Sequence, residues 1–594
     1  MTTTRSAARL GALPLAIAMA SLIGPAQAAS FQLGDMQVQL DSQLSIGASW
    51  ALSDADNRFI HVDTMRDGKP MGGQATSRTS DDGRLNFDKG DIFSKAFKGV
   101  HDVEMRYRNS GAFLRGKYWY DFETKDGSQR FYDISDDGAA PLMKASGVAL
   151  LDAFVYHNYS IGTLPGNLRV GRQVVNWGES LFISNSINSV NPLDVSAFRR
   201  PGSEVKEALI PVEMLYVSQT LSDNLSMEAF YQLKWAPTVT DNCGTFFGAD
   251  TVGKGCVDRL IVAGMDRPQN ELQADNIIIS RARKDEEARD DGQWGVAFRW
   301  FAPELNDTEF GLYAMNYHSR TPTFNGVAGR LLLGGAGITG IDGSLGAAGY
   351  FFKYPEDIRL YGVSFQTNVA GMPLAGEISY RPNMPLGIAT SDMSRTALQL
   401  GDNTHRGLTG LATGTEIQGY ERKEFLQAQV SLIKTIDRVL GASRMVVAGE
   451  VGFNHIAGLS NANGKTKFGR DSLFGQSPFA DGTCSSLGSS PKAASWCENN
   501  GYMTSNSWGY RVRANLQYSN VFRGVNLTPS LAWSHDVEGY SPNFNENAKS
   551  VSLGLNADYA NKYNASISYT SYFDGKYNTN VDRDFASVSV SVSF

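Results

Sequence analysis

Histidine and cysteine are scarce in this chain, at seven and four residues of 594. His61, His101, His157, His318, His405, His455 and His535 are scattered, and neither H-E-x-x-H nor G-x-S-x-G occurs. The zinc-hydrolase helix and the nucleophile elbow are therefore missing. No enzyme activity, cofactor or metal is expected. A surplus of one charge is lacking too: the net charge is -7 with 19% charged residues, which offers no basic surface to nucleic acid. After residue 28 no stretch approaches the ~18 apolar residues of a membrane-crossing helix. No Pro/Ser-rich linker or shift in composition divides the chain, although soluble chains of this length usually split into several domains.

What is present begins with "MTTTRSAARLGALPLAIAMASLIGPAQAAS". Arg5 and Arg9 form a basic start, Leu10 to Ile23 an apolar core, and Ala26-Gln27-Ala28 a small-residue cleavage site. Together they read as a secretory signal peptide. Residues 1–28 are expected to be removed, leaving 29–594 as the exported protein.

The other end, "FASVSVSVSF" (585–594), alternates Ala586, Val588, Val590, Val592 and Phe594 with serine from 587 to 593. Strand side chains point to opposite faces in turn, so this strand has one apolar and one all-serine face. A soluble sandwich could hide the valines, but it rarely presents a whole face of serine or ends on a buried aromatic. A membrane barrel accounts for both, with valine toward lipid and serine toward a wet lumen. Phe594, preceded by apolar residues at every second position, also resembles the recognition signal of outer-membrane proteins. That implies insertion by the barrel assembly machinery among outer-membrane lipid.

The alternation recurs. "WGYRVRANLQYS" sets Trp508, Tyr510, Val512, Leu516 and Tyr518 against Arg511, Arg513, Asn515 and Gln517. "NLSMEAFYQLKW" sets Leu225, Met227, Tyr231 and Trp235 against Glu228, Phe230 and Gln232. Apolar faces often begin and end in Trp or Tyr, as interfacial girdles do. Short connections, such as 109–111, 221–223, 370–373 and 520–524, alternate with long segments at about 53–100, 124–147, 179–209, 236–291, 321–357, 385–422 and 459–506. Outer-membrane barrels have short inner turns and long outer loops. The fold class predicted is all-β: a transmembrane antiparallel barrel of about eighteen strands with long outer loops and a partly plugged lumen.

Cys243 and Cys256 form one local pair, Cys484 and Cys497 another, each among Gly, Ser, Asp and Asn. In an exported protein they read as two loop disulfides outside the cell.

The inward faces mix both charge signs: Glu104, Arg106, Arg115, Lys117, Glu228, Arg299, Glu377, Arg381, Glu450, Arg511 and Arg513. The bland account is a solvated lumen with compensating charges. Phe113, Trp119, Phe154, Tyr156 and Phe230 also face inward, either as a path for an apolar solute or as packing for an infolded loop. Two segments are expected to narrow the lumen. The first, 81–99, clusters Asp88, Lys89 and Asp91, which should meet wall charges. The second, 179–206, follows a strand end with Arg172 and Trp177 and carries Glu179, Phe182, Asp194, Arg199 and Arg200. Its Leu181, Phe182, Ile183, Ile187, Val190 and Leu193 need burial, and a short helix is expected after Pro201.

"DDGRLNFDKGD", "GAFLRGKYWYDFE", "GRQVVNWGESLFI", "INSVNPLDVS" and "PGSEVKEALIPV" together resemble a proteobacterial family of large outer-membrane β-barrel proteins catalogued as a domain of unknown function. Members tend to be encoded beside RND-type transporters and periplasmic proteins resembling lipid carriers. The resemblance implies a Gram-negative outer membrane and trans-envelope movement of hydrophobic or lipid-like molecules, and supplies no catalytic residues. The function expected is a channel for hydrophobic or amphiphilic molecules; the alternative is a passive porin for small polar solutes. An outer-membrane enzyme or an adhesin finds less in the sequence.

Overall fold

The computed structural model describes residues 29–248, 259–267, 277–329, 348–399, 408, 410–484 and 496–594; residues 1–28, with the expected signal peptide, lie outside it. The main body is a closed antiparallel barrel of eighteen strands. In chain order they are β1 Met36–Ala51, β2 Ile92–Tyr107, β3 Ser110–Asp121, β4 Ser146–Ile161, β5 Leu164–Gln173, β6 Val212–Ser222, β7 Leu225–Gln232, β8 Trp294–Ala302, β9 Thr308–Tyr317, β10 Ile358–Val369, β11 Met372–Gly387, β12 Tyr420–Val439, β13 Ala442–Ile456, β14 Asn506–Phe522, β15 Val525–Glu538, β16 Lys549–Tyr559, β17 Tyr563–Phe573 and β18 Phe585–Ser593. β1 pairs with both β2 and β18, which closes the ring. A short strand, Ala29–Leu33, folds back beside Met36–Leu40.

The two-residue period explains the wall. Val155, Leu312, Val363, Ile378, Leu553, Ile567 and Val590 are exposed on the outer face, while Lys117, Ser364, Glu377, Gln429 and Ser589 are buried on the inner one. Apolar outside and polar inside is stable only with lipid around it. Closure leaves no unpaired edge, so the backbone is satisfied within the sheet. No helix among the described residues is long and apolar enough to cross a membrane; strands make the crossing.

One rim carries two- to five-residue turns and the other the long loops, as the sequence indicates. β5 ends at Gln173, so Trp177, expected at a strand end, lies beyond it. The largest difference is at residues 92–99, expected in a loop, which belong to β2, with only Asp82–Asn86 helical before them. Lysine and glycine at Lys95, Lys98 and Gly99 disguise the alternation there. The outer loops are also more ordered than loops read from sequence. Arg259–Ala263, Ile277–Arg281, Gly349–Lys353, Thr323–Val327 and Glu416–Ile417, drawn from three loops, form a small sheet. It packs with Met393 and Ala397 of the helix Thr390–Ala397 around Phe324, Tyr350 and Phe352. Cys484 and Cys497 are bonded within the loop between β13 and β14, with Cα atoms 6.3 Å apart. Cys243 is disulfide-bonded too; Cys256 lies outside the described residues.

Candidate functional site

The connection from β5 to β6, residues 174–211, leaves the rim and crosses the lumen. Asn191 ties its ends together: the side chain accepts from the Val175 N–H at 2.9 Å and donates to the carbonyls of Gln173 and Ile210 at 3.3 and 3.0 Å. Two short helices follow. Val195–Arg199 is capped by Asp194, and Val205–Ala208, the helix expected after Pro201, by a Glu204/Glu207 capping box.

From 174 to 193 the segment has no regular secondary structure, so its backbone groups need other partners. The wall supplies them with charge of both signs. Glu450 on β13 accepts three successive N–H groups, from Leu181, Phe182 and Ile183, at 3.0, 2.7 and 2.6 Å. Glu377 on β11 accepts from Glu179 at 2.5 Å and Ile187 at 3.4 Å. Arg381 on β11 donates to the carbonyls of Asn185 and Ser186, both at 2.9 Å, and to Tyr317 at 2.8 Å. Arg320 donates to the Val190 carbonyl at 3.0 Å. Gly178, at φ +88°, keeps the chain against Glu377; a Cβ there would meet that carboxylate and Ile187. Two buried ion pairs hold the far half: Lys117 with Asp194 at 2.8 Å and Lys98 with Glu207 at 2.6 Å. Glu377 lies nearer the turn end of its strand than the loop end, and Glu450 near the middle of its own. The segment thus sits deep in the barrel.

The lumen has two unlike walls. Inward residues of β3 to β10 include Phe113, Phe154, Tyr216, Phe230, Tyr313, Met315 and Leu360. Trp177, Ile187 and Val190 of the crossing segment pack against Tyr216, Phe230, Tyr313 and Leu360, making an apolar core inside the barrel. The Trp177 ring lies 5.0 Å from that of Phe230, tilted by 48°, and its N–H donates to Glu228 at 2.7 Å. Inward residues of β15 to β18 are Ser, Thr, Asn and Asp with few exceptions; Ser552 bonds Thr570 at 2.8 Å, Asn556 bonds Asn564 at 3.0 Å and Ser566 bonds Ser589 at 2.7 Å. Among the described residues, no hydrogen bond joins the crossing segment to β15, β16 or β17.

The sequence-derived candidates distribute unevenly. Arg115 pairs with Asp102 at 2.7 Å, Arg299 with Glu309 and Glu228 at 3.0 and 3.3 Å, and Arg511 with Asp536 at 2.5 Å, all on the inner wall. Glu179 comes within 3.7 Å of Arg299. Arg200 lies over Trp119, and Arg199 pairs with Asp241 at 2.5 Å. Arg106 pairs with Glu104 near the turn rim, and Arg513 is exposed to the lumen. Three expectations are corrected. Asp88 and Asp91 meet loop arginines, not wall charges: Asp88 pairs with Arg66 and Arg130 at 3.1 and 3.0 Å, and Asp91 with Arg130 at 3.2 Å. Lys89 is exposed, its N–H bonded to Asp54. Arg172 shares the parity of Leu168 and Val170 and so belongs to the outer face of β5. Finally, Ile183, Ile187 and Val190 are buried, but Phe182 remains 39% exposed, its backbone N–H held by Glu450.

Sequence reasoning missed Glu207, Arg169, Tyr216 and Tyr313. The last two stand in strands apolar on both faces, where the second face was the signal. As for metal, the buried carboxylates of Asp81, Asp82 and Asp266 in the outer loops have oxygens within 4.8 Å of one another. Burial pushes the Asp266 carboxyl up to about 6, and the nearby Arg78 guanidinium supplies positive charge to the group.

Several solved barrels are similar. Acinetobacter baumannii OccAB1 shares 10% identity at a TM-score of 0.39, covering 96% of this chain and 98% of that one. Pseudomonas aeruginosa OccK2 (OpdF) shares 9% at 0.38, covering 94% and 97%. The outer membrane channel DcaP of Acinetobacter baumannii shares 11% at 0.34, covering 95% and 100%. Similarity at this level carries no inference about what passes through the lumen. No curated protein matches. The family described as "Protein of unknown function (DUF1302)" matches residues 9–594, and the chain belongs to that family.

Proposed function

We propose that the protein is an outer-membrane channel for hydrophobic or amphiphilic molecules, serving a trans-envelope system. The RND-type transporter and periplasmic lipid-carrier-like protein implied by the family resemblance are its candidate partners. One observation carries the reading. The crossing segment leaves Leu181, Phe182, Leu193, Phe198 and Val205 between 39% and 69% exposed, although exposing apolar area to water costs about 25 cal/mol per Å². A segment whose only task was to narrow a pore would carry polar side chains there. An amphiphile passing over it recovers that cost.

The test is uptake into proteoliposomes of a dodecyl-chain amphiphile against a sugar of similar mass. The amphiphile should cross faster, and replacing Leu181, Phe182 and Phe198 by serine should abolish the difference. Faster entry of the sugar in the parent would leave the second reading, a passive porin for small polar solutes. That reading is favoured by the Ser/Asn wall of β15 to β18, over which an aqueous path could run.

A further inference from the structure

The aromatic wall contains a guanidinium with no carboxylate. Arg169 on β5 faces the lumen, opposite Tyr156 on β4 and Tyr216 on β6. Its guanidinium lies 4.9 Å from the Tyr216 ring centre and 5.9 Å from that of Phe154. Its Nε donates to Asn167 at 3.0 Å. Among the described residues no Asp or Glu pairs with it. The other inward cations here are neutralised: Arg115 by Asp102, Lys117 by Asp194, Arg299 by Glu228 and Glu309, and Lys98 on the neighbouring β2 by Glu207.

The rings continue past the cation. Phe154 lies 5.6 Å from Phe113 and 6.4 Å from Tyr156. Glycines let them lie along the wall: Gly171, at φ +128°, stands opposite Phe154, and a Cβ on Gly111 would strike the Tyr156 ring. Arginine stacked on aromatic rings keeps its edge donors free for an oxyanion, and it matches carboxylate or phosphate in two-point geometry. Two carboxylates lie at the margins, each beside a tyrosine hydroxyl that flanks Arg169, Glu104 at Tyr156 and Glu228 at Tyr216, and each is engaged by another cation. Glu104 binds Arg106 and accepts from the Tyr156 hydroxyl at 2.9 Å, and Glu228 binds Trp177 and Arg299.

We propose that Arg169, with Phe113, Phe154 and Tyr216, forms a lumenal binding subsite for an anionic amphiphile. Arg169 takes a carboxylate or phosphate head, and the rings carry the apolar body. This rests on the amphiphile reading above and adds to it the sign of the charge and the place where it is held.

Block of single-channel conductance in planar bilayers tests it, with dodecanoate, dodecyl phosphate, dodecyltrimethylammonium and dodecanol, each below its micelle concentration. Half-block by the two anions should need about tenfold less probe than half-block by the cation, the loss expected for a charge-assisted bond. Stronger block by dodecyl phosphate assigns the head as phosphate, and the reverse as carboxylate. Arg169→Gln should erase the preference for anions and leave block by dodecanol unchanged, and Phe154→Ala should weaken block by all four; heat-modifiable mobility confirms that each variant is folded. Equal block by anions and cation in the parent, or a preference that survives in Arg169→Gln, overturns the subsite and leaves the amphiphile channel standing. If no dodecyl probe blocks or crosses, the channel reading itself falls, and the subsite with it.

Discussion

The two walls of the lumen are built from the same strand geometry and do opposite things. From β3 to β10 the inward positions carry rings and branched chains, and the crossing segment docks on them through Trp177, Ile187 and Val190. From β15 to β18 they carry serine, threonine and asparagine bonded to one another across strands, and among the described residues no such bond reaches the segment. An apolar inner face in a membrane barrel is not a second lipid surface. It is a core, and a core needs something folded onto it. The polar face needs only water. The segment is therefore held asymmetrically, pinned by side chains of β1, β2, β3, β11 and β13 and by no hydrogen bond from the described residues of β15 to β18.

That asymmetry can be broken at its strongest point by removing one member of a buried ion pair. Lys117→Met leaves Asp194 as an uncompensated buried charge and should weaken docking by about 3–5 kcal/mol, seen as a rise in single-channel conductance. The double variant Lys117→Met with Asp194→Asn should recover most of it, since no lone charge remains and the amide oxygen still caps the helix Val195–Arg199. If single and double variants conduct alike, the pair does not hold the segment.

The next effect separates the faces of one strand. Val590→Arg places a cation on the lipid side and should cost about 2–4 kcal/mol at mid-membrane depth, blocking assembly as read by heat-modifiable mobility. Ser591→Arg, one position on, faces the lumen and should assemble. Equal assembly would overturn the inner and outer assignment of β18.

A smaller effect tests how the segment is pinned. Glu450→Gln keeps the shape, but its NH2 group cannot accept: the N–H of Leu181 loses its partner if the remaining oxygen keeps Phe182 and Ile183, whose bonds become neutral, a loss of about 1.5–3 kcal/mol. Conductance should flicker between the parent level and a higher one. The least effect is expected in the polar wall. Ser566→Ala removes one exchangeable bond worth about 0.5–1.5 kcal/mol; the barrel should melt within a few degrees of the parent, with conductance unchanged.

Much of this was legible in the sequence. The Val/Ser alternation of β18 and the alternation of short and long connections both express a period of two, which survives any choice of neighbours. The inward charges on β7, β8, β11 and β14 followed from the same parity. The pins of the crossing segment were not legible, because Glu450 and Arg381 bind backbone groups, which have no residue type to recognise. Asp88 and Asp91 were assigned to the wall for a related reason: their partners, Arg66 and Arg130, stand in other loops, and no period links loop to loop. The outer sheet escaped notice because each of its strands is short and finds its mates in separate connections.

The closing seam has a consequence for assembly. Ser49 bonds Ser587 at 2.7 Å across 538 positions of sequence, whereas most other wall pairings join neighbours in the chain. Joining such distant segments pays loop-closure entropy before any contact rewards it. Zipping of adjacent hairpins should therefore run ahead, and the register of β1 on β18 should be the last to form. Until then the sheet is an open ribbon with two bare edges, each able to template a foreign strand. The newborn chain is most vulnerable at β1, the strand that emerges first and waits longest for its partner.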